Sequence, residues 1–181
     1  MLALALGACS STDDEIEELR IAELTEITEK FTVEVLWDES VGGGVSDYFS
    51  RIKPVIAYDK VFSASREGDV YAFERDTGKT LWQADLSDIN EERGFFDDRK
   101  SALLSGGLVA GINKVYIGSE NGEIFALNAD SGALEWQENV RGEVISPPAI
   151  DSGMLVVNTA SGVMKALNAS NGEELWGRYS S

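Results

Sequence analysis

Histidine is absent from the 181 residues, cysteine occurs once and proline three times. Without an imidazole there is no Ser-His-Asp or Cys-His catalytic machinery, no His-ligated metal and no imidazole base. A lone cysteine excludes internal disulfides and zinc sites of the CxxC type. Cations are scarce as well: 15 Lys plus Arg face 32 Asp plus Glu, a formal net charge of −17. So acidic a surface repels phosphate backbones and argues against direct nucleic-acid binding. Long apolar runs are missing too. Leu2 to Ala8 at the N-terminus is far short of the ~20 residues that cross a bilayer as a helix. What is plentiful is glycine, 18 residues, within a chain that is 43% hydrophobic. That apolar fraction is too high for wholesale disorder, and the length suits one domain with a sizeable core.

The first eleven residues read as an address. Leu2 to Ala8 is at the lower limit of a signal h-region and lacks a basic segment before it. We therefore expect residues 1–8 to be the end of a longer signal peptide. Leu6-Gly7-Ala8-Cys9 resembles a bacterial lipobox, in which small residues let a peptidase reach the bond before a lipid-modified cysteine. Cys9 is the expected lipidation site, with Ser10 and Ser11 resembling the sorting context for the outer membrane. Stable anchoring needs more than one acyl chain. Residues 9–30 then form a lipidated acidic tether, in which Asp13, Asp14, Glu15, Glu17, Glu18, Glu23, Glu26 and Glu29 face only Arg20 and Lys30. Ile16, Leu19, Ala22, Leu24 and Ile27 could stripe one helical face, so a docking helix is the alternative to a solvated tether.

Residues 31–181 are dominated by self-similarity. Lys60 to Trp82, Lys114 to Trp136 and Met154 to Trp176 are three copies of one unit. Four columns match throughout: Gly68, Gly122 and Gly162; Ala72, Ala126 and Ala166; Gly78, Gly132 and Gly172; Trp82, Trp136 and Trp176. The copies are separated by 54 and then 40 residues, the excess lying in an inserted loop over Asp88 to Lys100. A basic period near 40 remains.

Each copy reads as strands. Val61–Ser65, Val115–Ser119 and Leu155–Thr159 are β-rich and turn at Glu67-Gly68, Asn121-Gly122 and Ser161-Gly162. Asp69–Glu74, Glu123–Asn128 and Val163–Asn168 follow, and a second glycine turn leads into the tryptophan strand. An earlier strand is expected at Pro54–Tyr58, Leu108–Ile112 and Pro148–Asp151. Four antiparallel strands in about 40 residues is the size of a propeller blade. In the third strand Val70 and Ala72 oppose Tyr71 and Phe73, and Ile124 and Ala126 oppose Phe125 and Leu127, so both faces are apolar. That suits a sheet packed between two neighbours better than a two-layer sandwich. The alanine fits a tight gap between blades, and the tryptophans are expected to pack across the junctions.

Trp37, in Phe31-Thr-Val-Glu-Val-Leu-Trp37, precedes Trp82 by 45 residues and reads as a blade's tryptophan strand without its first three strands. In closed propellers a lone N-terminal strand of this kind completes the last blade. Propellers need about four to eight blades, so the expectation is an all-β fragment of a larger ring: about three blades plus an orphan strand.

The spacing Ala-x-x-x-[Asp/Ser]-x-Gly-x-x-x-Trp at 72–82, 126–136 and 166–176 resembles the tryptophan-docking repeat of quinoprotein-like propellers. Taken with the lipobox, the acidic tether, Val41-Gly-Gly-Gly44, Tyr48-Phe-Ser50, Ala102-Leu-Leu-Ser-Gly-Gly107 and Val115-Tyr-Ile-Gly-Ser-Glu120, the chain resembles the lipoprotein propellers of the outer-membrane β-barrel assembly machinery. The likeness covers nearly the whole chain and implies a full-length ring of eight blades. It implies a non-enzymatic scaffold without cofactor or metal, lipid-anchored to the outer membrane and facing the periplasm. Its implied partners are the POTRA domains of the barrel insertase BamA within the Bam complex, and unfolded outer-membrane clients. Family members contact BamA mainly beyond the strand of Trp176, so no partner-binding residue is carried over. The rival reading is a PQQ-dependent quinoprotein dehydrogenase, which shares the repeat. Those enzymes resemble one another in an acidic base, a calcium site and often a vicinal cysteine pair, none of which is matched here.

Other motifs fail on spacing. Gly78-Lys79-Thr80 resembles the end of a P-loop, but Phe73 stands where a glycine is required. Asp130-Ser-Gly132 lacks the alternating ligands and bidentate glutamate of a calcium loop. Gly42-Gly-Gly44 lacks dinucleotide-binding spacing and suits a tight bend. Phe95 and Phe96, beside Asp97, Asp98 and Arg99 in the longest insertion, are the local candidates for partner contact.

Overall fold

The computed structural model describes residues 25–28, 30–45, 47–48, 50–87, 89 and 100–179. Its contacts divide the chain into residues 1–34 and 35–181. The described residues of the first unit are exposed and contain neither helix nor strand. Cys9, Phe95, Phe96 and most of the expected tether lie outside the described residues.

The second unit is all β. Its strands are β1 (Val55–Ala57), β2 (Lys60–Ala64), β3 (Asp69–Glu74), β4 (Thr80–Asp85), β5 (Leu104–Gly111), β6 (Lys114–Ser119), β7 (Glu123–Asn128), β8 (Leu134–Asn139), β9 (Ala149–Asp151), β10 (Met154–Asn158), β11 (Met164–Asn168) and β12 (Glu174–Arg178). They form three four-stranded sheets, β1–β4, β5–β8 and β9–β12, each an antiparallel meander in chain order. The first strands crowd together, β5 against β1 and β2 and β9 against β5, while β4, β8 and β12 form the outer rim. These are propeller blades, as the repeat length predicts.

Both faces of the middle sheet are buried, and that is what separates a blade from half of a sandwich. Val115, Ile117, Phe125 and Leu127 join Phe62, Val70, Ala72 and Trp82 of the first sheet in one apolar cluster. Tyr116, Ile124 and Ala126, on the opposite face, join Leu155, Val157 and Leu167 of the third sheet in another. The core is therefore a series of seams between sheets.

Local chemistry repeats with the sheets. Ala72, Ala126 and Ala166 sit directly across from Trp82, Trp136 and Trp176. All three alanines are fully buried. Each pair is followed by a one-residue bulge, so that Leu81, Glu135 and Leu175 have no partner in the ladder. At the turns of Gly68, Gly122 and Gly162 three residues separate Ser65 from Asp69, Ser119 from Glu123 and Thr159 from Val163, and the glycine N–H closes each by donating to the carbonyl of Ser65, Ser119 or Thr159. The two-residue turns lie elsewhere, at Tyr58-Asp59, Ile112-Asn113 and Ser152-Gly153, where every residue has positive φ as type I′ requires.

Two strand expectations change. β5 starts at Leu104, four residues before the expected Leu108, because Ser105–Gly107 form a bulge that still extends the ladder. Residues 30–40 contain no strand. A strand exists through a hydrogen-bonded neighbour, and among the described residues none lies beside Leu36–Asp38.

Candidate functional site

The recurring constellation is the junction between blades. Trp82, on the outer strand β4, crosses to the second sheet, where its Nε1–H donates to the Ala129 carbonyl at 3.1 Å. The indole covers Gly132, where an added Cβ would stand 2.5 Å from Trp82 Cε3. Trp136 repeats this on the third sheet, donating to Ala169 O at 3.1 Å and covering Gly172. Trp37 does the same to the first sheet, donating to Arg75 O at 2.8 Å and covering Gly78. In each case the acceptor lies three residues before the glycine. That glycine has φ of +72 to +81° and its own N–H closes the turn on Glu74, Asn128 or Asn168. Glycine is required twice over here, by backbone conformation and by ring contact.

Beside each ring a second aromatic or apolar residue fills the seam. Phe62 lies 5.8 Å from Trp82 and Tyr116 lies 5.7 Å from Trp136, centroid to centroid. The Tyr116 hydroxyl also donates to Ala169 O at 2.9 Å, so that one carbonyl accepts two hydrogen bonds. Burial holds this phenol well above the ordinary tyrosine range. Trp176 is different: it is 40% exposed and lines an open hollow with Met164, Gly177 and Arg178.

Charged groups pin the first junction at both ends. Arg66 forks onto Glu120 in the equivalent turn of the next sheet, at 3.2 Å and 2.8 Å, and its guanidinium stacks on Tyr48 at 4.0 Å. At the other end Lys60 reaches Asp130 at 2.9 Å. Hydrogen bonds from Lys60 and Asn113 hold the Asp130 carboxyl below its usual range, and those from Lys114 and Asn128 do the same for Glu135. The second junction has no equivalents, because the matching positions are Ala160 and Ser170.

The repeat reading missed a fifth column. Ser65, Ser119 and Thr159 are buried hydroxyls that accept the backbone N–H of Asp69, Glu123 and Val163 at 3.1 Å. The signal was present as a hydroxyl residue three positions before each first glycine. Gly42 and Gly44 take positive φ, and a Cβ at Gly42 would stand 2.3 Å from Asp69 Oδ2, so the loop lies directly on the first sheet's turn. Among the described residues no group of three or more His, Cys, Asp or Glu side chains is disposed to hold a metal ion.

A family model described as outer membrane protein assembly factor BamB matches residues 29–98 and 66–181. The chain belongs to the BamB family. The BamB of Vibrio cholerae is 43% identical over 97% of this chain and 42% of its own length. That of Yersinia pestis is 39% identical over 94% of this chain and 43% of its own length. That of Escherichia coli K12 is 36% identical over 80% of this chain and 36% of its own length. The chain thus spans less than half of these BamB relatives. Among solved structures, BamB from Moraxella catarrhalis superposes with a TM-score of 0.59 at 22% identity, covering 71% of this chain and 35% of that one. Quinohemoprotein alcohol dehydrogenase from Comamonas testosteroni follows with 0.57 at 21% identity, covering 73% of this chain and 21% of that one. Both likenesses describe the fold.

Proposed function

We propose that this chain is the N-terminal part of a non-enzymatic scaffold in outer-membrane protein assembly. It is anchored through lipid on Cys9 at the periplasmic side of the outer membrane. It works by holding the POTRA domains of BamA, and unfolded clients passing to them, against a stiff propeller. The observation that supports this reading is the sequence likeness to proteins named as assembly factors, 36% to 43% identity. The dehydrogenase shares fold alone at 21%. The seams support the mechanical part. Side chains locked across both faces of a sheet make neighbouring blades one rigid body, and a rigid platform orients a partner without paying ordering entropy on each encounter.

The test is complementation. Gram-negative cells lacking their own assembly factor should regain normal levels of folded outer-membrane barrels when given the intact protein, and its Cys9→Ala variant should restore far less. The intact protein should also retain purified POTRA domains in a pull-down. Alcohol oxidation by the intact protein with added PQQ and calcium, without rescue of barrel levels, would favour the enzyme instead.

A further inference from the structure

The meander topology sorts the turns to two ends of each blade. The turns after β1, β5 and β9 share one end with those after β3, β7 and β11. At that end the first two sheets carry a local contradiction. A two-residue I′ turn favours Asn, Asp and Gly at both positions, as Ser152-Gly153 of the third sheet partly provides. The second sheet instead uses Ile112, at φ +44°, and the first uses Tyr58, at φ +53°. A β-branched side chain in the left-handed region is a backbone outlier. It is not compensated by burial: Ile112 is 46% exposed and Tyr58 42%, and Ile56 in β1 is 65% exposed. Tyr58 and Ile112 are neighbours, since the Asn113 N–H donates to the Tyr58 hydroxyl at 3.0 Å.

The surroundings are acidic. Asn113 also donates to Asp130 at 2.9 Å, tying the apolar pair to that carboxylate. The carboxylates at this end, Asp59, Glu74, Asp76, Asp130, Glu135, Asp151, Glu173 and Glu174, are exposed and outnumber Lys60, Arg75, Lys79 and Lys114. Arg75 is shared between Asp59 and Asp76, and Lys60 is held by Asp130. Strain kept without a packing return, in an exposed residue, points to a contact made with something else. The charge around it says which kind of partner.

We infer that Tyr58 and Ile112, rimmed by Asp59, Asp130 and Asp151, form a docking surface for a protein segment that presents aliphatic side chains between Lys or Arg residues. The aliphatic groups cover Ile112 and the Tyr58 ring, and the cations meet the aspartates. The surface lies on the end of the blades away from the Gly42–Gly44 loop, which packs on the turn of Ser65 and Asp69. It also stands independently of the assembly role.

The probe is a Lys-Leu-Lys-Leu-Lys peptide capped at both ends, titrated into the intact protein by calorimetry, with Glu-Leu-Glu-Leu-Glu as control. The lysine peptide should bind with an affinity that falls as salt rises, and the glutamate peptide should not bind. Ile112→Asn should weaken the lysine peptide at least tenfold while raising Tm by a few degrees, because asparagine suits the turn. Asp130→Asn should weaken binding and flatten its salt dependence. An unchanged affinity in Ile112→Asn, a lowered Tm in that variant, or equal binding of the two peptides would overturn the proposal.

Discussion

At the scale of single residues, the junction is a reciprocal fit between an indole and a missing side chain. Removing Trp82, which is 9% exposed, should cost about 3–5 kcal/mol. Gly132→Ala should cost about 1–2 kcal/mol from backbone conformation alone, plus the clash with the ring. In the double variant the clash is gone, so the combined loss should fall short of the sum, as urea unfolding of the intact protein will show. Strict additivity would mean that the two groups do not meet. Tyr116 offers a pH signature. Its folded-state pKa is raised by burial, so its contribution is fully present below the unfolded value near pH 10 and is lost as pH rises from there towards the folded value. Tyr116→Phe should lower Tm at neutral pH through loss of the bond to Ala169 O, and should lose less stability than the parent between pH 9 and 11.

At the scale of strands and turns, most of the architecture was legible because it repeats. The glycine, alanine and tryptophan columns place β3, β7 and β11 and their partners almost to the residue, since a period-two pattern with both faces apolar admits few alternatives. The start of β5 was not legible. Ser105-Gly106-Gly107 lacks the composition of a strand, yet Leu104 pairs with Ser119 across this bulge, while the Ser105 hydroxyl donates sideways to Val144 O at 2.9 Å. The hydroxyl column at Ser65, Ser119 and Thr159 was written in the sequence but indistinct, because Ser and Thr are common in loops. Cross-blade charge pairs were beyond reach: Arg66 and Glu120 occupy equivalent positions, and opposition across a seam follows from stacking, not from spacing. Their fork is partly buried, so a double-mutant cycle on Arg66→Ala and Glu120→Ala should give a coupling of about 0.5–1 kcal/mol that salt only partly erodes. A coupling of zero would reduce the pair to a surface coincidence.

At the scale of the whole molecule, Trp176 completes the comparison. Trp37, Trp82 and Trp136 each have a carbonyl and a positive-φ glycine beneath them, and Trp176 has neither among the described residues. The BamB relatives are more than twice as long as the stretch they share with this chain. In the intact protein we therefore expect a further blade to offer Trp176 the same seat. A variant retaining Trp176 as its sole tryptophan, the others replaced by phenylalanine, should fluoresce at short wavelength and resist acrylamide quenching. Water-like emission from a folded variant would show that this ring is left open.

The docking rule has a direction. Trp37, Trp82 and Trp136 each lean forward onto the sheet that follows them in the chain and none of the three leans back, so each ring-and-glycine lock closes when the later sheet arrives. A chain threaded through a membrane N-terminus first would then carry one uncovered seam at a time, passed along from blade to blade. The hazard of sticking to other emerging chains is confined to that travelling front.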